Sequence, residues 1–195
     1  MSATSAPFGL RPAFFPTGVE KAQALANGIT SGYANNILKG QAVQYSPNAG
    51  VILPVLDTTT NGGLVSGVFA GVEWTDTTGR RRVSNYWPAS TAAVAGSIVA
   101  YFYNDQQIVY EIQTDGTMAQ TAVGNEANLS NFTAGSTTTG LSQMTLSASL
   151  VGSAAAAQFR IVDIAPYVDN AWGDPFVIVR VQISKPQFIS TVNAI

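Results

Sequence analysis

Any chemistry in this chain must proceed without imidazole or thiolate, because its 195 residues include no histidine and no cysteine. What remains is eleven carboxylates, nine Lys and Arg, seven tyrosines, hydroxyls and the backbone. A Ser-His-Asp triad is impossible without a histidine. A Ser–Lys pair would need Lys21, Lys39 or Lys185 buried beside a serine, and no spacing points to one. Two carboxylates brought together in a cleft would suit glycoside hydrolysis, but no pattern selects a pair. Asp163, Asp169 and Asp174 offer the oxygen ligands that calcium takes, yet they lack EF-hand spacing and their strand phase scatters them. We expect no enzyme, no metal and no cofactor.

The binding chemistry is easier to place. Arg80-Arg81-Arg82 is the one charge run, and it follows a turn at Asp76-Thr77-Thr78-Gly79. Its plainest role is a solvated loop neutralised by Glu73 and Asp76. Trp74, Tyr86 and Trp87 are able to form a sugar-binding platform. Indoles more often pack in cores and interfaces, where they bury large areas. Trp172-Gly173-Asp174-Pro175 reads as a tight turn before a final strand, with Trp172 capping one end of the body. The net charge of −2 lacks the basic excess of nucleic-acid or anionic-membrane binders, so neither is expected as a partner, and no small-molecule substrate is expected.

The elements that must carry these groups are strands. Residues 63–74 alternate, with Val65, Gly67, Phe69, Gly71 and Glu73 opposed to Leu64, Ser66, Val68, Ala70, Val72 and Trp74; glycines inside such a run mark bulges or close backbone approach. Residues 41–46 and 51–56 predict two strands around a turn at 46–50. Residues 97–123 predict a three-stranded meander, because Asp115-Gly116 is a strong two-residue hairpin sequence. Residues 124–140 are poor in large aliphatics and predict a surface excursion with a helical turn near Glu126. Residues 143–150, 159–165 and 176–184 predict strands, the last with Val177, Val179, Val181 and Ile183 inward and Arg180 and Gln182 outward. No window holds a sustained helical period.

The whole predicts an all-β fold, an antiparallel barrel or jelly-roll-like sandwich of about ten strands. We divide it into an extended N-terminal arm at residues 1–27 and a single antiparallel β domain at residues 28–195. In the arm, residues 7–16 hold three prolines and three phenylalanines, which favour an extended chain. Fifteen such residues reach on the order of 50 Å, far enough to dock on a neighbouring subunit; folding along its own domain is the alternative. With no secretory signal at the start and no membrane-length apolar run, we expect a soluble protein made in the cytoplasm. Charged residues make up only 10% of the chain, well below the usual quarter. A surface so sparsely charged suits a protein covered by partners in an assembly.

Four stretches together resemble the head decoration, or cement, proteins of tailed bacteriophages. They are SAPFGLRPA at residues 5–13, GITSGYANNILKGQAVQ at 28–44, GVFAGVEWTDTTGRRRVSNYWPAST at 67–91 and AWGDPFVIVRVQIS at 171–184. The resemblance implies a virion structural protein on the outer surface of the capsid. Such a protein binds the major capsid protein, assembles as a homotrimer and stabilises the shell by non-covalent bridging. It further implies an N-terminal staple in which Phe8, Leu10, Phe14 and Phe15 are apolar anchors and Arg11 an orienting ion pair. Arg80, Arg81 and Arg82 would then meet an acidic capsid patch. Removing residues 2–16 is expected to weaken capsid binding while leaving the β fold intact. A fibre, baseplate or host-recognition module of the virion is the alternative.

Overall fold

Period-two alternation becomes structure along most of the chain, and a computed structural model describes residues 4–18, 21–47, 49–152 and 156–188. The strands are β1 (Arg11–Phe14), β2 (Gln23–Ala26), β3 (Ala42–Tyr45), β4 (Ile52–Pro54), β5 (Gly67–Thr75), β6 (Arg81–Ser84) and β7 (Val99–Tyr103). They continue as β8 (Val109–Gln113), β9 (Glu126–Ser130), β10 (Gly135–Ser136), β11 (Leu141–Ser142), β12 (Thr145–Val151), β13 (Phe159–Ile164) and β14 (Ile178–Ile183). The first sheet runs β1-β8-β14-β13-β9-β12. The second runs β2-β7-β5-β3-β4, with β6 also paired to β5, and β10 and β11 form a separate ribbon. Every pairing between these strands is antiparallel.

Two cores result. One takes Tyr110, Ile112, Phe159, Ile161, Val179 and Val181 from the first sheet and Ala42 and Val68 from the second. The other lies on the opposite face of the second sheet, where Val43, Phe69, Val72, Trp74, Ala100 and Phe102 meet Ile29, Ile37, Trp87 and Ile98 from flanking segments. Strand β5 serves both. Val68 faces the first core and Phe69 the second, as alternation requires. The register against β7 then slips between Phe69 and Gly71. That bulge inserts one residue and reverses the phase, so Val72 and Trp74 join Phe69 in the second core. Gly67 is the close approach the sequence predicts: a Cβ there would collide with the Tyr103 carbonyl oxygen.

The last strand forms as its pattern predicts, with Val177, Val179, Val181 and Ile183 all buried. Other expectations need correction. No meander spans 97–123, since β7 and β8 belong to different sheets. The turn at 105–108, closed by Asp105 accepting from the Gln107 and Ile108 amides, carries the chain between them. Neither Asp115 nor Gly116 has the positive φ that a type I′ hairpin turn needs. The Asp115 carboxylate instead accepts from Ala148 N and Ser130 Oγ, both at 2.8 Å. Residues 117–123 find no ladder on β8, because β1 and β14 already flank it; they fold as a loop with a short 3-10 turn at Gln120–Ala122.

Residues 124–140 are not all excursion either. Their first part is β9, held between β13 and β12 with Ala127 and Leu129 inward. Two inward apolar side chains suffice when both strand edges are paired. Within the expected arm, β1 pairs β8 and β2 pairs β7, so these parts fold along their own domain. The remaining expectations for residues 1–3 and 19–20 of the arm, Asn48 of the 46–50 turn and residues 153–155 lie outside the described residues.

The close approach at Gly67 is testable. Gly67→Ala should lower unfolding stability in urea by about 2–3 kcal/mol, because backbone must move to admit the methyl group. Gly152→Ala, with no atom within 4 Å of the new Cβ, should stay within about 0.5 kcal/mol of the parent. Equal effects would refute the packing argument.

Candidate partner-binding surfaces

The N-terminal segment is positioned by polar groups on β8. All five residues of this strand are buried; Tyr110 and Ile112 take the core side, and Glu111 and Gln113 alternate to the other face. The Gln113 amide behaves there as a peptide group would. Its Oε1 accepts from Ala6 N at 2.8 Å, and its Nε2 donates to the Thr4 and Phe176 carbonyls. Two residues before it, Glu111 is only 5% exposed. Its Oε2 accepts from the Arg11 guanidinium at 2.8 Å and from the Tyr167 hydroxyl at 2.6 Å, and Arg180 Nε lies 3.5 Å from Oε1. Arg11 also donates to Tyr167 Oη at 2.6 Å and stacks over the Phe8 ring at 4.6 Å. Burial pushes the Glu111 carboxyl up, but the hydrogen bonds from Tyr167 and Arg11 and the two guanidinium charges outweigh it, so its pKa lies below the ordinary value.

The five residues predicted as a staple therefore separate. Leu10 is 2% exposed and belongs to the chain's own first core. Its amide donates to Gly40 O at 2.8 Å where the backbone crosses at Gly9, whose φ of +71° and contact with Gly40 O exclude a side chain. Phe8 and Arg11 are joined to β8 through Glu111, and Phe15 packs on Tyr103 with ring centroids 5.8 Å apart. Only Phe14, 59% exposed, points away from the body. Removing residues 2–16 would thus open the core at Leu10 and strip β1 from its sheet, so an intact fold after that deletion is no longer expected. A cleft of roughly 350 Å³ lies where the N-terminal segment meets β8, lined among others by Phe8, Arg11, Gln113 and Tyr167.

The arginine run forms a second surface. Asp76 organises the turn before it: its Oδ1 accepts from Thr78 N, Thr78 Oγ1 and Arg80 N. Its Oδ2 accepts from Arg82 Nε at 2.9 Å. Arg81 pairs with Glu73 across the hairpin. Both acids are held below the ordinary carboxylate range, Asp76 chiefly by the Thr78 hydroxyl and Glu73 chiefly by Arg81. The neutralisation predicted from sequence is thus present for two of the three arginines. The Arg80 side chain is exposed and has no carboxylate partner among the described residues. Further along β6, Val83 is 72% exposed.

The aromatic platform is absent as such. Trp74 and Trp87 are buried and meet edge to face at 5.4 Å, and Trp172 packs against the first core. Asp163 accepts from the Ile164 amide and Asp174 from the Ala171 amide. Among the described residues no group of three acidic side chains is placed to hold a metal ion, and no helix is long and apolar enough to cross a membrane. What sequence reasoning missed is the Glu111–Tyr167 pairing. Its only sign was a glutamate within the apolar run of residues 108–112. No family model, curated protein or solved structure matches the chain.

Glu111→Gln should destabilise the fold by about 2–3 kcal/mol, because two guanidiniums and a phenol lose their shared anion. The folded-state pKa is depressed, so the carboxylate's contribution is complete above the unfolded value of about 4.3 and fades as pH falls through the folded one. Thermal melts should show the gap between parent and variant constant near neutrality and narrowing below about pH 4. A gap independent of pH would refute the ionic role.

Proposed function

We propose that this chain is a capsid decoration (cement) protein. It binds the outer surface of a tailed-phage head as a homotrimer and stabilises the shell by bridging major capsid protein subunits. The observation that carries this reading is the exposure of large apolar side chains on edge strands, Phe14 on β1 and Val83 on β6, in a chain with few charges. Exposed aromatic side chains and arginines on a firmly paired β body are common anchors of a protein interface, and an exposed valine adds apolar area to bury. The sequence resemblance supports the same conclusion. The body assigned to this role is a jelly-roll-like sandwich, supported by the core that the two sheets share.

Bridging is multivalent. Once one contact forms the next is intramolecular, so modest patches combine into high avidity. In this mechanism β1 presents Phe14, and Arg11 acts indirectly by holding β1 through Glu111. Arg80, Arg81 and Arg82 supply the polar rim of a second contact. Neither nucleic acid nor membrane is a partner in it, and the protein reaches the virion from the host cytoplasm.

Purified protein mixed with undecorated capsids should co-sediment at a fixed stoichiometry and should sediment alone as a trimer. The double variant Phe14→Ser, Arg80→Glu changes only exposed side chains and should keep its circular dichroism spectrum. Its capsid affinity should fall about tenfold or more. Absence of co-sedimentation would transfer the chain to the fibre or baseplate alternative, and unchanged affinity would remove these residues from the contact.

A further inference from the structure

Strand β6 carries an unused hydrogen-bonding edge. Opposite Arg81, Thr75 directs its N–H to Ser97 Oγ at 3.1 Å and its C=O to Val94 N at 2.9 Å, both away from β6. One residue on, Asp76 N donates to Arg80 O at 2.9 Å. Antiparallel pairs alternate between bonded and non-bonded. The pairs Trp74–Arg82 and Val72–Ser84 therefore carry the ladder, while Thr75–Arg81 and Glu73–Val83 do not. The backbone N–H and C=O of Arg81 and Val83 consequently face outward, and none of them has a backbone partner among the described residues.

Natural edge strands are commonly blunted by charge, and three arginines look like such a defence. Two of them, however, are drawn back to Glu73 and Asp76, and Val83 on the same edge is left 72% exposed. The hairpin from Glu73 to Ser84 holds three cations against two anions, in a chain whose net charge is −2. A second copy pairing through the same edge would bring two arginine runs together, a like-charge arrangement that opposes association. An acidic chain has no such penalty.

We infer that β6 is a strand-addition site for an extended acidic segment of another protein, whose backbone pairs with Arg81 and Val83. An apolar side chain of that segment covers Val83, and its carboxylates meet Arg80 and the neighbouring guanidiniums. Main-chain bonds supply affinity in this mode and side chains supply selectivity. The inference deepens the proposed function by specifying the chemistry of one contact, and its test needs no capsid.

The probe is a short fluorescent peptide alternating Asp and Val, compared with its Lys–Val counterpart and with an Asp–Val peptide N-methylated at alternate residues. Binding to the full chain is read by anisotropy. Amide exchange is read at Arg81 and Val83. The acidic peptide should bind at least about tenfold more tightly than either control, the cost of one lost hydrogen bond or of reversed charge, and should weaken with added salt. Exchange at Arg81 and Val83 should slow on binding. Val83→Pro removes an outward N–H without touching the β5 ladder and should abolish binding; Arg80→Glu should weaken it about threefold to tenfold.

Equal binding of all three peptides, unchanged exchange at Arg81 and Val83, or preference for a DNA duplex over the peptide would overturn the inference. If Val83→Pro does not fold, the N-methylated peptide on the parent chain decides the same point. A chain that co-sediments with capsids but ignores the acidic peptide removes strand addition alone. One that binds the peptide but ignores capsids removes the capsid role alone.

Discussion

The carboxylate of Glu111 is the interaction on which the arrangement of the first and last strands depends. It sits on the strand whose residues are all buried, between the strands β1 and β14. Through Arg11 it fixes the N-terminal strand, through Arg180 it braces β14, and through Tyr167 it anchors the connection that leaves β13. An isolated anion at that depth would be costly. Two guanidiniums and a phenol make it a junction. Because β1 is held there, Leu10 is delivered into the core and Phe14 is left at the sheet edge. The exposure of Phe14 follows from the burial of Glu111.

Elsewhere the chain does with amides what charged residues do in other proteins. Gln41 bridges Leu38 N and the Phe132 carbonyl. Gln158 accepts from Leu129 N and donates to the Gly63 carbonyl. Gln187 accepts from Tyr45 N and donates to Tyr45 O, taking the place of a strand partner. A glutamine carries one acceptor and one donor group, as a peptide unit does, and is buried without the desolvation cost of an ion. This reconciles a low charge content with a body of many short strands and long connections. Few charges are needed inside: among the described residues Glu111 is the one buried carboxylate, and the other ion pairs, Arg81–Glu73, Arg82–Asp76 and Arg160–Glu126, lie nearer the surface.

Much of this was legible in the sequence where the cause is local. The final strand, the glycine approach in β5, the burial of Trp74 and Trp87 and the pairing of Arg81 and Arg82 with nearby acids all follow from residue type and local pattern. What escaped depends on neighbours distant along the chain. The Asp115-Gly116 pair has the composition of a hairpin, but both edges of β8 were already occupied and Asp115 was recruited to the Ala148 amide, within the stretch of β12 where its register against β9 slips. Residues 126–130 looked too polar for a strand, because Glu126, Asn128 and Ser130 outnumber Ala127 and Leu129. The Ala157, Gln158 and Ser184 groups that satisfy Glu126 and Asn128 lie about thirty or more residues away. Leu10 resembled an anchor for another subunit because nothing within its own stretch shows the pocket that it fills.

The central claim is that a firmly paired β body presents two edges, β1 with Phe14 and β6 with Val83 and Arg80, to the subunits of an assembled shell. A cryo-EM map of decorated heads tests it most directly. The account predicts trimeric density on the outer surface, with both edges turned towards major capsid protein and Phe14 covered by it. Density absent from the shell, or bound with these edges facing solvent, would contradict it.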